Sequence, residues 1–186
     1  MDLKKNQNIQ KGFTLIELLI VVVILGILVA IAAPSMFSIL EGRKLKGAAE
    51  NFQVDLMFIK TEAIKRNSPV RIQFKFDSVD TAKWCYGMKV NAACDCFENV
   101  ATESDYCEID DVKKVINRAD YGDNVLIKDN DVNFGSDLVS FTPLRGHSNA
   151  GNVEFSLTDG RSIKTNVNVR GRATICSDSG MGFEDC

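Results

Sequence analysis

The sequence predicts an α+β chain: one long N-terminal helix, membrane-spanning in its first half, packed on a C-terminal antiparallel β-sheet domain. Three observations predict it. Residues 18–33 are sixteen consecutive positions without a charged or strongly polar side chain, residues 45–63 carry an apolar stripe at helical spacing, and beyond Pro69 apolar and polar residues alternate. At 186 residues, 45% hydrophobic and 25% charged, the chain has room for one globular domain beside such a helix. A formal charge of −3 excludes a wholesale basic nucleic-acid binder, and the single histidine, His147, excludes His-based triads and multi-His metal sites.

Residues 1–12 form a leader with three Lys against one Asp. Residues 13–33 follow as an apolar segment broken only by Thr14 and Glu17. As a helix rising about 1.5 Å per residue, it reaches about 30 Å, the depth of a bilayer's hydrocarbon. The basic flank is expected to stay cytoplasmic, which places everything after Pro34 outside. An ordinary secretory signal is cut after its apolar run. Here Lys11-Gly12-Phe13 precedes the run, so cutting between Gly12 and Phe13 removes the leader and keeps the anchor. Glu17 is the anomaly: a carboxylate at mid-bilayer costs roughly 2.5–3.5 kcal/mol on insertion scales, less near the interface, and implies a partner or a task. An amine freed at Phe13 lies about one helical turn away, so in a bundle of such helices Glu17 can pair with a neighbour's terminus. The competing account is an interfacial acid that snorkels to the headgroups.

Residues 34–67 continue the helix with a new pattern. Leu45, Ala48, Ala49, Phe52, Leu56, Ile59 and Ala63 form an amphipathic stripe, expected to pack on the chain's own domain, and Lys46/Glu50 and Glu62/Arg66 have i,i+4 spacing. Pro34 removes a backbone hydrogen bond and Gly42 adds freedom, so a bend or local melting is expected there. Asn67-Ser68-Pro69 stops the helix. Residues 68–186 then read as strands. Val70, Ile72, Phe74 and Phe76 alternate with Arg71, Gln73 and Lys75. Shorter strands are expected at residues 83–90, 124–128 and 138–141. Two further alternations, at 153–157 and 163–169, flank an Asp159-Gly160 hairpin turn, and a last strand covers 172–176.

The segment Lys11-Gly12-Phe13-Thr14-Leu15-Ile16-Glu17-Leu18-Leu19 resembles the class III signal of type IV prepilins and type II secretion pseudopilins. The resemblance implies a pilin-like fold, cleavage between Gly12 and Phe13 by a prepilin peptidase, and N-methylation of Phe13. It implies that Glu17 is the assembly glutamate and Pro34 the helix-bending proline. Glu62-Ala63-Ile64-Lys65-Arg66-Asn67-Ser68-Pro69-Val70, Phe141-Thr142-Pro143-Leu144-Arg145-Gly146, Gly151-Asn152-Val153-Glu154-Phe155 and residues 169–176 resemble the GspH/FimT/FimU group of minor pilins and pseudopilins. Residues 77–125 are least covered, and their Trp84-Cys85-Tyr86-Gly87 and Cys94-Asp95-Cys96 look like pilus-type members.

Six cysteines, Cys85, Cys94, Cys96, Cys107, Cys176 and Cys186, predict disulfides in a periplasmic domain. Cys176–Cys186 is the first pairing expected, because it closes a short terminal loop. Cys94 and Cys96 are too close to bridge each other easily, so each should reach Cys85 or Cys107, in either combination. A zinc site built from those four lacks the usual C-x₂₋₄-C pairs. Residues 91–111 hold seven acids and no base, without EF-hand spacing, and read as a solvated loop rather than a calcium site.

Function follows from these parts. His147 reads as a loop residue, and no Ser, Asp or Cys nucleophile has a credible base, so neither catalysis nor a cofactor or metal is expected. The reading is a minor pilin of a type IV pilus, anchored by a single pass in the inner membrane with its C-terminal domain in the periplasm. It joins a priming or tip complex through helix contacts with other pilins or pseudopilins. The alternative is a minor pseudopilin of a type II secretion system. A third reading is a FimT-like DNA receptor. That resemblance calls for a Gly-Arg-x-Arg motif, but Gly171-Arg172-Ala173-Thr174 lacks its second Arg. Arg161, Lys164, Arg170 and Arg172 remain candidate phosphate contacts. Against them, residues 67–186 hold 13 Lys and Arg and 19 Asp and Glu, a net −6 that repels a polyanion.

Overall fold

A computed structural model describes residues 12–80, 82–178 and 181–186; most of the predicted leader, residues 1–11, lies outside the described residues. The chain divides into two units, Met1–Ile39 and Leu40–Cys186. One 52-residue helix, α1 (Leu15–Arg66), contributes to both.

In the first unit α1 presents its apolar side chains outward, from Leu15 at 82% exposed to Ile31 at 72%. The helix is unbroken through Pro34, so the local melting offered as one alternative for residues 34–42 does not occur. Ser35 Oγ donates to the Ala32 carbonyl at 2.8 Å, a bond of the kind that bends helices.

In the second unit, all seven residues of the predicted stripe are at most 1% exposed. The end of α1 is a Schellman motif: Asn67 takes a left-handed φ of 50°, Ser68 N–H donates to Ala63 O and Asn67 N–H to Ile64 O. Pro69 then blocks any continuation.

Two four-stranded antiparallel sheets pack with this part of α1, as the predicted antiparallel β-sheet domain. The strands are β1 (Val70–Phe76), β2 (Trp84–Val90), β3 (Glu108–Ile109), β4 (Val112–Lys113), β5 (Val115–Asn117), β6 (Val125–Leu126), β7 (Leu138–Phe141), β8 (Gly151–Leu157), β9 (Ser162–Val167) and β10 (Ala173–Cys176). The first sheet runs β5-β2-β1-β7 and the second β10-β9-β8-β6, with β3–β4 as a separate hairpin. Phe52 joins the two sheets, its ring 5.4 Å from Phe74 and from Tyr86 on the first and 5.9 Å from Phe155 on the second. Trp84, buried at the same junction, satisfies its indole by donating to the Val125 carbonyl at 3.0 Å.

Several sequence boundaries need correction. Strand β9 stops at Val167 rather than residue 169, because Asn168 and Gly171 close a turn there, Gly171 N–H donating to Asn168 O at 2.8 Å. The strand expected at 124–128 shrinks to β6, and the last strand begins at Ala173, not Arg172. Strands β3 to β5 were not anticipated. Their turn places Asp110 and Asp111 at φ 55° and 59°, a hairpin without the glycine that ordinarily marks one.

Candidate functional site

The N-terminus of α1 is built by Thr14. Its carbonyl accepts the first helical hydrogen bond, from Leu18 N–H at 3.2 Å, and its Oγ1 accepts from Glu17 N–H at 3.3 Å. Thr14 is thus the N-cap and Glu17 the third helical residue, the spacing of a capping box. A carboxylate in this first turn also lies where the helix macrodipole favours negative charge. Gly12 is non-helical, Phe13 is 82% exposed and Glu17 is exposed. The predicted cleavage and assembly residues therefore stand together at an accessible helix end, followed by a helix long and apolar enough to cross a membrane. Among the described residues of the first unit, the apolar side chains of 15–31 stay about half exposed or more.

All six cysteines are paired. Cys176 bonds Cys186, as the terminal-loop reasoning suggested, and the pairings left open resolve as Cys85–Cys96 and Cys94–Cys107. The last two pack side by side against β2, where a Cβ at Gly87 would lie 2.2 Å from Cys107 Sγ. They pin the acidic segment. Within that segment Asp95 Oδ1 accepts from Phe97 N–H, and Glu98 Oε1 from Asn99 and Val100 N–H, so these carboxylates shape turns.

A network of charge fixes the other end of α1. Arg66 donates to Glu62 at 2.6 Å and, through both terminal nitrogens, to Asp110. These bonds hold the Glu62 and Asp110 carboxyls below the ordinary range and raise the guanidinium. Sequence spacing anticipated Glu62/Arg66 but not Asp110.

The four candidate phosphate contacts do not form one group. Arg161 pairs with Asp159 at 2.7 Å and approaches Glu41 at 3.9 Å, and Lys164 pairs with Glu154 at 3.3 Å. Arg170 and Arg172 lie beyond β9, on a turn where Asn168 Oδ1 accepts both their backbone N–H groups. Against that turn pack two cations not among the predicted phosphate contacts: Lys60, whose Nζ donates to the Arg170 and Gly171 carbonyls, and Arg145, whose neighbour Gly146 meets Gly171 backbone to backbone. Only a weak signal marked them, the Arg145-Gly146 pair in a turn-like stretch; the folding of distant segments together is invisible in one dimension.

Residues 48–177 match the family Type II transport protein GspH, and residues 7–33 match the prokaryotic N-terminal methylation motif. No curated protein and no solved structure matches the chain.

Proposed function

The chain belongs to the GspH family, and from that premise we propose that it is a minor pilin of a type IV pilus, cut between Gly12 and Phe13 and assembled through α1. One observation carries the reading. The apolar side chains of residues 15–31 are exposed by about half or more in the single chain, with Glu17 as their one acid. Such a surface is stable in lipid or among other helices of its kind, not in water. Before assembly the bilayer covers it; in a filament neighbouring helices do, and Glu17 meets the amine that cleavage frees at a neighbour's Phe13. Pro34, which lacks the N–H that would bond Ala30, and Ser35, which back-bonds to Ala32, give the helix a place to bend. The basic leader keeps the N-terminus cytoplasmic, and the globular unit reaches an oxidising compartment where its three disulfides form.

A second reading is a minor pseudopilin of a type II secretion system, favoured by the family that residues 48–177 match. The structure lends the DNA-receptor reading little, since Arg161 and Lys164 are engaged by the chain's own carboxylates.

Sheared pili, probed for the full chain and analysed by mass spectrometry, test the proposal. The chain is expected there with Phe13 as its first residue, and Glu17→Ala is expected to be cut normally yet missing from the pili. A chain that keeps Met1, a Glu17→Ala variant incorporated as well as the parent, or a null strain that loses secretion but not pili overturns it.

A further inference from the structure

We propose that the cleft between α1 and the turn joining β9 to β10 captures the C-terminal carboxylate of a peptide whose last side chain is apolar. The cleft has a volume of about 410 Å³, lined on the helix by Leu56, Met57 and Lys60 and on the turn by Gly171, Arg172 and Ala173. The turn is a three-residue hairpin loop. Gly171 N–H donates to Asn168 O at 2.8 Å and Asn168 N–H to Arg172 O at 3.1 Å, with Gly171 at a left-handed φ of 67°. Pairing then alternates along β10, so Thr174 bonds across to Asn166 of β9, while Ala173 turns its N–H and C=O to the opposite side. Gln53 of α1 meets them there, its Nε2 donating to the Ala173 carbonyl at 3.2 Å.

The carbonyls of the turn are all in use, and donors are left over. Asn168 O accepts from Gly171 N–H, Val169 O from Ser148 N–H at 3.2 Å and Arg172 O from Asn168 N–H. Lys60 Nζ donates to the Arg170 and Gly171 carbonyls at 3.4 and 3.0 Å, and Gln53 covers Ala173 O. What remains is the Ala173 N–H, one N–H of the Lys60 ammonium, and the Arg172 guanidinium, which has no hydrogen bond or ion pair among the described residues. No Asp or Glu lines the cleft. The acids of α1 that flank it in sequence are engaged: Glu50 by Lys46 at 3.7 Å, Asp55 by the Tyr86 hydroxyl at 2.8 Å, and Glu62 by Lys65 and Arg66 at 3.2 and 2.6 Å. A site with donors, positive charge and no spare acceptor selects an anion.

The walls decide which anion. Leu56 and Met57, the latter 56% exposed, lie beside the cations, so the ligand carries an apolar body next to its charge. The planar fork of Arg172 matches the two oxygens of a carboxylate. A nucleic-acid strand fits less well, because residues 67–186 hold 13 Lys and Arg against 19 Asp and Glu and a polyanion feels that whole field. Two links between helix and turn, Gln53 to Ala173 and Lys60 to Arg170 and Gly171, bound the cleft at its ends. A strand running through would break one of them, whereas a chain end enters between them. Its carboxylate then meets Lys60, Arg172 and the Ala173 N–H, and its last side chain lies on Met57, a chain-end capture by backbone and cationic donors.

The site lies wholly in the second unit and does not rest on the filament reading. The full chain, with isotopically labelled methionine methyls and held in nonionic detergent micelles, is titrated by nuclear magnetic resonance with an N-acetylated tripeptide ending in leucine. Met57 reports the cleft, buried Met88 the core, and Met36 of the first unit any partition of the peptide into the micelle. The Met57 signal is expected to shift to saturation while Met36 and Met88 stay in place. The same peptide as its C-terminal amide should bind about tenfold or more weakly, and so should the acid to Arg172→Gln. Arg172 is exposed and its side chain holds nothing else, so an unchanged Met88 signal verifies that this variant is folded. A Met57 signal that does not move, an amide that binds as well as the acid, or an Arg172→Gln chain that binds as well as the parent overturns the proposal. So does free hexanoate that binds as tightly as the peptide, which assigns the cleft to a small acid. A duplex oligonucleotide that moves Met57 at lower concentration than the peptide assigns it to nucleic acid and overturns it equally.

Discussion

Asp55 lies against the first sheet, its Oδ2 accepting from the Tyr86 hydroxyl at 2.8 Å, with Asn51 Nδ2 one helical turn back donating to the Tyr121 hydroxyl at 3.2 Å. Burial raises the Asp55 carboxyl above the ordinary aspartate value of 3.8, although the Tyr86 hydrogen bond and nearby Lys114 pull the other way. A raised native value means that folding favours the protonated form. That contribution to stability is complete below the unfolded value and is lost as pH rises through the native one. Asp55→Asn keeps an acceptor for Tyr86 and carries no charge. It is expected to match or exceed the parent in stability at about pH 7, with the gap closing towards about pH 4, as chemical denaturation at the two pH values will measure. A less stable variant at neutral pH would show that the charge itself is useful there. Single residues of this kind were the least legible in the sequence. Asn51 and Asp55 have helical spacing, but nothing along the chain pointed to Tyr86 or Tyr121, because the pairing depends on how a strand and a 3₁₀ turn meet the helix.

At the scale of elements, legibility followed local chemistry. Helix α1 was readable because a stripe of one period changes at Asn67-Ser68-Pro69, and β1, β7, β8 and β9 because alternation is a backbone property that each strand states for itself. Strands β3 to β5 are two or three residues long, too short to establish a period, and disulfides and the Arg66–Asp110 bond hold their region where propensity does not. The helix stop contains more than its proline. Asn67 accepts a left-handed backbone because a short polar side chain tolerates it, whereas a β-branched residue does not. Asn67→Val should cost about 1–2 kcal/mol in a denaturant titration of the full chain, and Asn67→Gly should cost nothing or stabilise slightly. Equal stability of the two variants would mean that Pro69, not the capping geometry, ends the helix.

For the whole molecule, the division into two units sets where different forces act. Residues 13–39 expose apolar surface that only lipid or other helices can cover, while the unit from Leu40 onward buries its own core and is cross-linked three times. In the sequence, hydropathy sets residues 13–33 apart, and every cysteine lies beyond residue 84. The arrangement of the strands in two sheets was not legible there, since strand order is a long-range property. The cross-links are also unequal in setting. Cys85, Cys94, Cys96 and Cys107 are each at most 4% exposed, whereas Cys186 is exposed at the chain's end. Thiol–disulfide exchange needs an attacking thiolate in line with a sulfur, so access decides the order of reduction. Mild reductant followed by alkylation and mass spectrometry should label Cys176 and Cys186 first, and the other four only once denaturant opens the core. Because each bridge closes a loop of about a dozen residues, losing one should cost roughly 2–3 kcal/mol in the chain-entropy model. The singly reduced chain should therefore remain folded but melt earlier. Simultaneous labelling of all six cysteines under mild conditions would mean that the second unit opens as a whole before its exposed tail is attacked.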